Sequence, residues 1–229
     1  MKQNIAIIPA RGGSKRIPRK NIRPFMGRPM ITFAIETAIK SELFVEIMVS
    51  TDDNEIAGIA RQAGANVPFM RSAETSGDDA STASVLLEML NRYQALGTVF
   101  DTVCCIYPCV PLLDLETLRH AWHDFEGHDA LVPVCKYAVP IEWALKIEEG
   151  RLFPYDAQAL NIRSQDLISK YHDVGMFYFS TVHSLNATGS LLPEGTRAFL
   201  MDAMQCQDID DEADWKMAEL KYQCLRRQH

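Results

Sequence analysis

The feature that most restricts this chain lies at its start. A fully apolar run, Ile5-Ala6-Ile7-Ile8, is stopped by Pro9 and followed at once by a glycine-rich cationic stretch. Four consecutive apolar residues with no polar alternation predict a strand buried on both faces, as in the middle of a parallel sheet. Such a sheet needs helices on both sides, and its ligands bind beyond the carboxyl ends of the strands. What stands there is Ala10-Arg11-Gly12-Gly13-Ser14-Lys15-Arg16-Ile17-Pro18-Arg19-Lys20-Asn21. From Arg11 to Arg28 there are seven basic residues and no acidic one, in a chain whose net charge is −7. An acidic protein with one dense basic loop is a poor partner for nucleic acid. It is a good one for a small polyanion gripped at one place.

The composition of the loop points to phosphate. Gly12 and Gly13 let the backbone turn sharply and offer N–H groups to phosphate oxygens. Ser14 adds a hydroxyl, and Arg11, Lys15 and Lys20 can neutralise a triphosphate. The loop is not a Walker A sequence, and no complete Gly-x-Gly-x-x-Gly follows the strand, which argues against a hydride-transfer dehydrogenase.

Beyond the loop, helical periodicity is predicted over 30–41, 54–62, 81–96, 115–125 and about 211–226. Strands are predicted over 46–50, 66–70, 102–107, 130–134 and 174–180. This alternation predicts an α/β fold with a doubly wound, mostly parallel sheet, built as a single domain over 1–229. From about 135 to 173 the pattern breaks: Pro140, Pro154 and scattered aromatics suggest an inserted segment that covers the site or pairs with another subunit. The apolar start is too short for a signal peptide, and no run approaches the roughly 20 apolar residues of a membrane helix. The six cysteines show no metal-finger spacing. A cytoplasmic protein with reduced thiols, used as small buried apolar residues, is expected.

Three further stretches carry candidate chemistry. In Gln207-Asp208-Ile209-Asp210-Asp211, an extended backbone puts residues two apart on the same side, so Asp208 and Asp210 can aim two carboxylates at one cation such as Mg²⁺. Capping of the last helix by Asp210 or Asp211 is the competing use. Arg71 to Thr82, small and polar, fits a loop that contacts a nucleotide and opens a helix, with Asp79 or Ser81 as an ordinary cap. In the third stretch, Arg163 can fork onto a substrate carboxylate, while His172 and Asp173 either form an acid–base pair or satisfy one another as plain polar neighbours.

Taken in order along the chain, Ile5 to Lys15 with Lys20-Asn21, then Ser50-Thr51-Asp52, Arg71 to Thr82, and Asp208-Ile209-Asp210 resemble the signatures of the CMP-sialic acid synthetase (acylneuraminate cytidylyltransferase) family. The resemblance runs through nearly the whole chain. Within the family, Cys104-Cys105-Ile106-Tyr107, Arg163-Ser164-Gln165-Asp166-Leu167, Tyr171-His172-Asp173-Val174-Gly175, and Gln207 to Asp210 leading into Ala218-Glu219-Leu220-Lys221-Tyr222 look like the pseudaminic acid branch. The sialic acid enzymes resemble Gln-Pro-Thr-Ser-Pro-Leu-Arg where this chain has Tyr107 to Leu113, and Asn-Gly where it has Val174-Gly175.

The resemblance implies a Rossmann-like nucleotidyltransferase with a small inserted dimerisation and substrate segment. It implies transfer of CMP from CTP to an anionic nine-carbon sugar acid, by attack of the anomeric hydroxyl on the α-phosphate with release of pyrophosphate. Arg11, Gly12, Gly13, Ser14, Lys20, Asn21, Arg71 and Thr82 would hold the nucleotide. Lys15 and Lys20 would steady the leaving pyrophosphate, and Asp208 and Asp210 would bind Mg²⁺. Arg163, Gln165, His172 and Asp173 would lie on the sugar side, and a homodimer is implied, with the insertion reaching into the partner's site. The proton acceptor stays open between His172, Asp208 through a metal-bound water, and solvent. The rival readings are transfer to N-acetylneuraminate, legionaminate or 3-deoxy-octulosonate, and a non-catalytic nucleotide-binding module.

Overall fold

The computed structural model of the chain describes residues 3–77 and 79–227. The path begins with β1 (Asn4–Pro9), a hairpin of β2 (Pro24–Phe25) and β3 (Arg28–Pro29), α1 (Ile31–Ser41), β4 (Glu46–Ser50) and α2 (Asn54–Gln62). It continues through α3 (Ala73–Ser76), α4 (Thr82–Ala95), β5 (Thr102–Ile106), α5 (Leu115–Phe125) and β6 (Ala130–Lys136). A separate hairpin of β7 (Leu145–Glu148) and β8 (Arg151–Pro154) follows, then β9 (Tyr171–Asp173), β10 (Phe177–Thr181), α6 (Val182–Thr188), β11 (Arg197–Leu200) and α7 (Glu212–Arg226).

The main sheet has the order β11-β6-β10-β5-β1-β4, with β9 also paired to β6. β1 is parallel to β4 and to β5, and β11 is parallel to β6; β10 runs antiparallel between β5 and β6. The sheet is therefore mostly parallel and covered on both faces. Alternate residues of β1 serve opposite cores: Ala6 and Ile8 pack with residues of α1, α2 and α5, while Ile5 and Ile7 pack with residues of α4 and α6. This is what an uninterrupted apolar strand requires, since both of its faces meet protein.

A third, smaller core joins Ile17, Phe25, Met30 and Phe33 to Ile209, Trp215 and Ala218. The Phe25 ring stands edge-on to Phe33 and to Trp215, each at 5.5 Å, and the Arg23 guanidinium lies 4.5 Å from the Trp215 ring centre. This cluster fastens the segment after β1 to the start of α7.

Two expected strands differ. Over 66–70 only Asn66 bridges, to Met48, because Pro68 has no N–H to continue a ladder. The strand expected over 174–180 begins at Phe177. Gly175 has a φ of +62°, which breaks the extended backbone between β9 and β10.

Candidate active site

At the end of β1 the chain turns back over β4. The Ala10 N–H donates to the Ser50 carbonyl at 2.8 Å, and the Gly12 N–H donates to Asp52 Oδ1 at 2.8 Å. A Cβ on Gly12 would lie 2.8 Å from Asp53 Oδ2, whereas Gly13 has open space around it. Gly12 is thus required for close approach, and its N–H is bound within the protein instead of facing phosphate. Asp53 caps α2 by accepting from the Glu55 and Ile56 N–H groups, and Arg19 closes on the same carboxylate. The Arg19 hydrogen bond, aided by those N–H groups, holds the Asp53 carboxyl at about 2. Asn21, buried, donates to the Arg11 carbonyl at 2.9 Å and accepts the Cys109 thiol at 3.3 Å. Burial pushes that thiol up to about 12.

The C-terminal segment meets this loop. Lys20 Nζ donates to the Ile209 carbonyl at 2.6 Å and stands 3.8 Å from Asp210 Oδ1, which Arg16 reaches at 2.7 Å. Of the two candidate caps it is Asp211 that opens α7, in a capping box with Asp214. Ile209 points into the third core, so Asp208 and Asp210 flank it on the cleft side. Burial, then the charge of Asp210, raises the Asp208 carboxyl, with Lys20 opposing.

Three bays form one trough. The central bay, about 490 Å³, is lined by Arg11, Ser14, Lys15, Lys20, Asp208 and Asp210 among others. It shares Arg11 and Tyr107 with a bay of about 210 Å³ that holds Arg71, Thr75 and Thr82. On the other side it shares Asp208 and Asp210 with a bay of about 480 Å³ that holds His172 and Asp173. Arg71 is buried, donating to the Ser50 carbonyl at 2.6 Å and the Ser50 hydroxyl at 3.1 Å. Tyr107 links bays: its hydroxyl is 2.9 Å from Thr82 Oγ1, and its ring lies edge-on to Tyr178 at 5.6 Å.

Two expected arrangements change. Asp173 accepts from the Gly175 N–H and the Tyr178 hydroxyl, both at 2.8 Å, so each carboxylate oxygen already has a partner. His172 Nδ1 meets the Asp173 backbone carbonyl at 2.9 Å, and its ring lies tilted by 57° against Tyr137, with centroids 4.9 Å apart. The two side chains form no acid–base dyad, because the Asp173 carboxylate is engaged by Gly175 and Tyr178 across the β9–β10 break. Arg163 and Gln165 are exposed and line none of the three bays. Two further residues bear on the site without standing out in the pattern: Tyr178, which donates to Asp173, and Glu88, which accepts from Thr75, read as ordinary strand and helix residues. The cysteines also divide: four are buried, but Cys224 is exposed.

A family model described as "Cytidylyltransferase" matches residues 5–174. The chain belongs to the cytidylyltransferase family. The match begins at β1 and ends at the β9–β10 break, so it includes the cationic loop and the walls of the small bay, whereas Asp208 and Asp210 of the central bay lie beyond it. This cytidylyltransferase is 36% identical over 223 residues to the pseudaminic acid cytidylyltransferase of Campylobacter jejuni subsp. jejuni serotype O:2, covering 96% of each chain. It is 34% identical over 221 residues to the CMP-N,N'-diacetyllegionaminic acid synthase of Legionella pneumophila subsp. pneumophila, covering 94% of each. The solved structure of a CMP:2-keto-3-deoxy-manno-octonic acid synthetase superposes with a TM-score of 0.71 at 17% identity, over 99% of this chain and 100% of that one. That likeness establishes the shared fold. No helix among the described residues is long and apolar enough to cross a membrane.

Proposed function

We propose that the chain transfers CMP from CTP to a nonulosonic acid, with pseudaminic acid as the preferred acceptor, and releases pyrophosphate. The observation that carries this is the central bay, where the cations of the loop and the Asp208–Asp210 pair face one space. Phosphoryl-type transfer needs alignment and charge stabilisation more than covalent help. Arg11, Lys15 and Lys20 serve the triphosphate and the charge that builds on the leaving pyrophosphate. Arg71 and Thr82 stand at the small bay for the base end, and the His172 side of the trough takes the sugar. Asn21 acts by holding the Arg11 carbonyl and thus the loop. Tyr107 and Val174, where sialic acid enzymes resemble Gln and Asn, support an acceptor other than N-acetylneuraminate. The 36% identical relative supports pseudaminic acid.

The residues fit Mg²⁺. Two carboxylates line one bay, and the charge of Asp210 bears on Asp208. Among the described residues no group of three or more His, Cys, Asp or Glu side chains is placed to hold a metal ion. A pair of carboxylates suits an ion that keeps phosphate oxygens and waters as its other ligands. Asp208 and Asp210 would hold it, where it would offset phosphate charge and lower the pKa of the attacking hydroxyl.

The same reading includes a homodimer in the cytoplasm. Ile147, Leu152, Tyr155 and Ile168 of the inserted segment are 65–84% exposed. Apolar surface of that kind supports a protein partner, and a second copy would let the exposed Arg163 and Gln165 serve a neighbouring site.

The test is pyrophosphate release by purified protein with CTP, Mg²⁺ and a panel of nonulosonic acids. Pseudaminic acid should give by far the highest kcat/KM. A ratio near one against N-acetylneuraminate, or a preference for legionaminate, overturns the acceptor while leaving the cytidylyl transfer intact.

A further inference from the structure

α3 is four residues long, and Ser72 at its start gives no side-chain cap. A single turn does not hold itself in water. Its support comes from α4. Glu88, whose side chain is 17% exposed, accepts the Ser72 N–H on Oε1 at 3.2 Å and the Thr75 hydroxyl on Oε2. Arg92 stands 3.7 Å from the same carboxylate and donates to the Met70 carbonyl at 2.6 Å.

An ionised carboxylate accepts and does not donate. The Thr75 hydroxyl therefore directs its one proton to Glu88 and presents only lone pairs elsewhere. Ser72 Oγ, 3.3 Å away, can fill one of them, which leaves one. Thr75 lines the small bay together with Arg71, whose guanidinium has donors only. Donor and acceptor thus stand in one recess, with a polarity set by Glu88.

From this polarity we infer that Thr75, oriented by Glu88, selects the nucleotide base. Its oxygen accepts from the exocyclic amine of cytosine, which is a donor, and opposes a base that carries an acceptor carbonyl there, as uracil does. Glu88 is the positioning residue and Thr75 the one that meets the base. In such a recess an acceptor facing another acceptor leaves both unpaired, which is the basis of discrimination by hydrogen bonding. This inference rests on the proposed use of CTP.

The test compares kcat/KM for CTP and for UTP, with one sugar acid, in wild type, Thr75→Val, Thr75→Ser and Glu88→Gln. The Gln amide can donate to Thr75 and so let the hydroxyl proton turn to the bay. The CTP:UTP ratio should fall about tenfold in Thr75→Val and in Glu88→Gln, the value of about one hydrogen bond. Thr75→Ser should restore it, and the KM for the sugar acid should stay unchanged. Thermal melting identifies a variant that fails to fold, in which case the Val and Ser pair alone decides. A ratio within about twofold of wild type in every folded variant overturns the role of Thr75 while CTP use stands. A wild type with no preference for CTP over UTP contradicts both readings.

Discussion

Lys20 donates its ammonium to the backbone carbonyl of Ile209 at 2.6 Å, joining residues 189 positions apart. The contact clamps the cationic loop to the segment that carries Asp208 and Asp210. Removing it should loosen the site and delete a phosphate charge together. Charge-assisted contacts contribute roughly 1.5–3 kcal/mol. Lys20→Ala should therefore lower kcat/KM for CTP by about 10- to 100-fold. Steady-state pyrophosphate release checks this; an unaltered kcat/KM removes Lys20 from the phosphate role.

Asp208→Asn and Asp210→Asn separate a metal role from a structural one. Asp211 already caps α7, so neither substitution removes the cap. Each should abolish most turnover while the urea midpoint barely moves, and excess Mg²⁺ should restore part of the loss. Near-wild-type activity in both at limiting Mg²⁺ would mean that the ion is held elsewhere.

Gly12 and Gly13 should respond unequally to Ala. At Gly12 the added Cβ meets Asp53 at 2.8 Å, and at Gly13 it meets nothing within 4 Å. Overpacking of this kind typically costs about 1–3 kcal/mol. Gly12→Ala should raise the KM for CTP and lower thermal stability, because Asp53 also caps α2. Gly13→Ala should leave melting unchanged, and equal destabilisation by the two would contradict this account of the loop.

The Asp53 carboxyl, held at about 2, ties stability to acid pH. A depressed carboxyl contributes stability that is present above its unfolded pKa, near 4, and is lost as pH falls through the folded value. With allowance for solvent screening, the contribution is about 1–2 kcal/mol. Asp53→Asn keeps a capping side chain but loses the Arg19 pair. Urea melts should show wild type the more stable at about pH 6, with the gap closing toward about pH 2. A gap that persists undiminished at the acid end would falsify the assignment to the ion pair.

Much of this molecule was legible without its structure, because the deciding interactions are local. The apolar run at Ile5–Ile8 called for a two-faced strand. Helical spacing located α2 and α5 at their observed bounds, and glycines with cations marked the loop that lines the central bay. The i, i+2 spacing put Asp208 and Asp210 on one side of their segment. What the sequence could not determine were facts of three dimensions. Periodicity does not reveal that Phe25 and Trp215 share a core, and that core decides whether Asp208 comes within reach of the loop at all. Nor does it tell that the Asp173 carboxylate accepts from Tyr178 and Gly175, that the Gly12 N–H is taken by Asp52, or that Glu88 accepts from Thr75. Local pattern reports which face of an element is apolar. Which polar atoms pair across the folded chain depends on the positions of elements far apart in sequence, and only the packed tertiary structure fixes those.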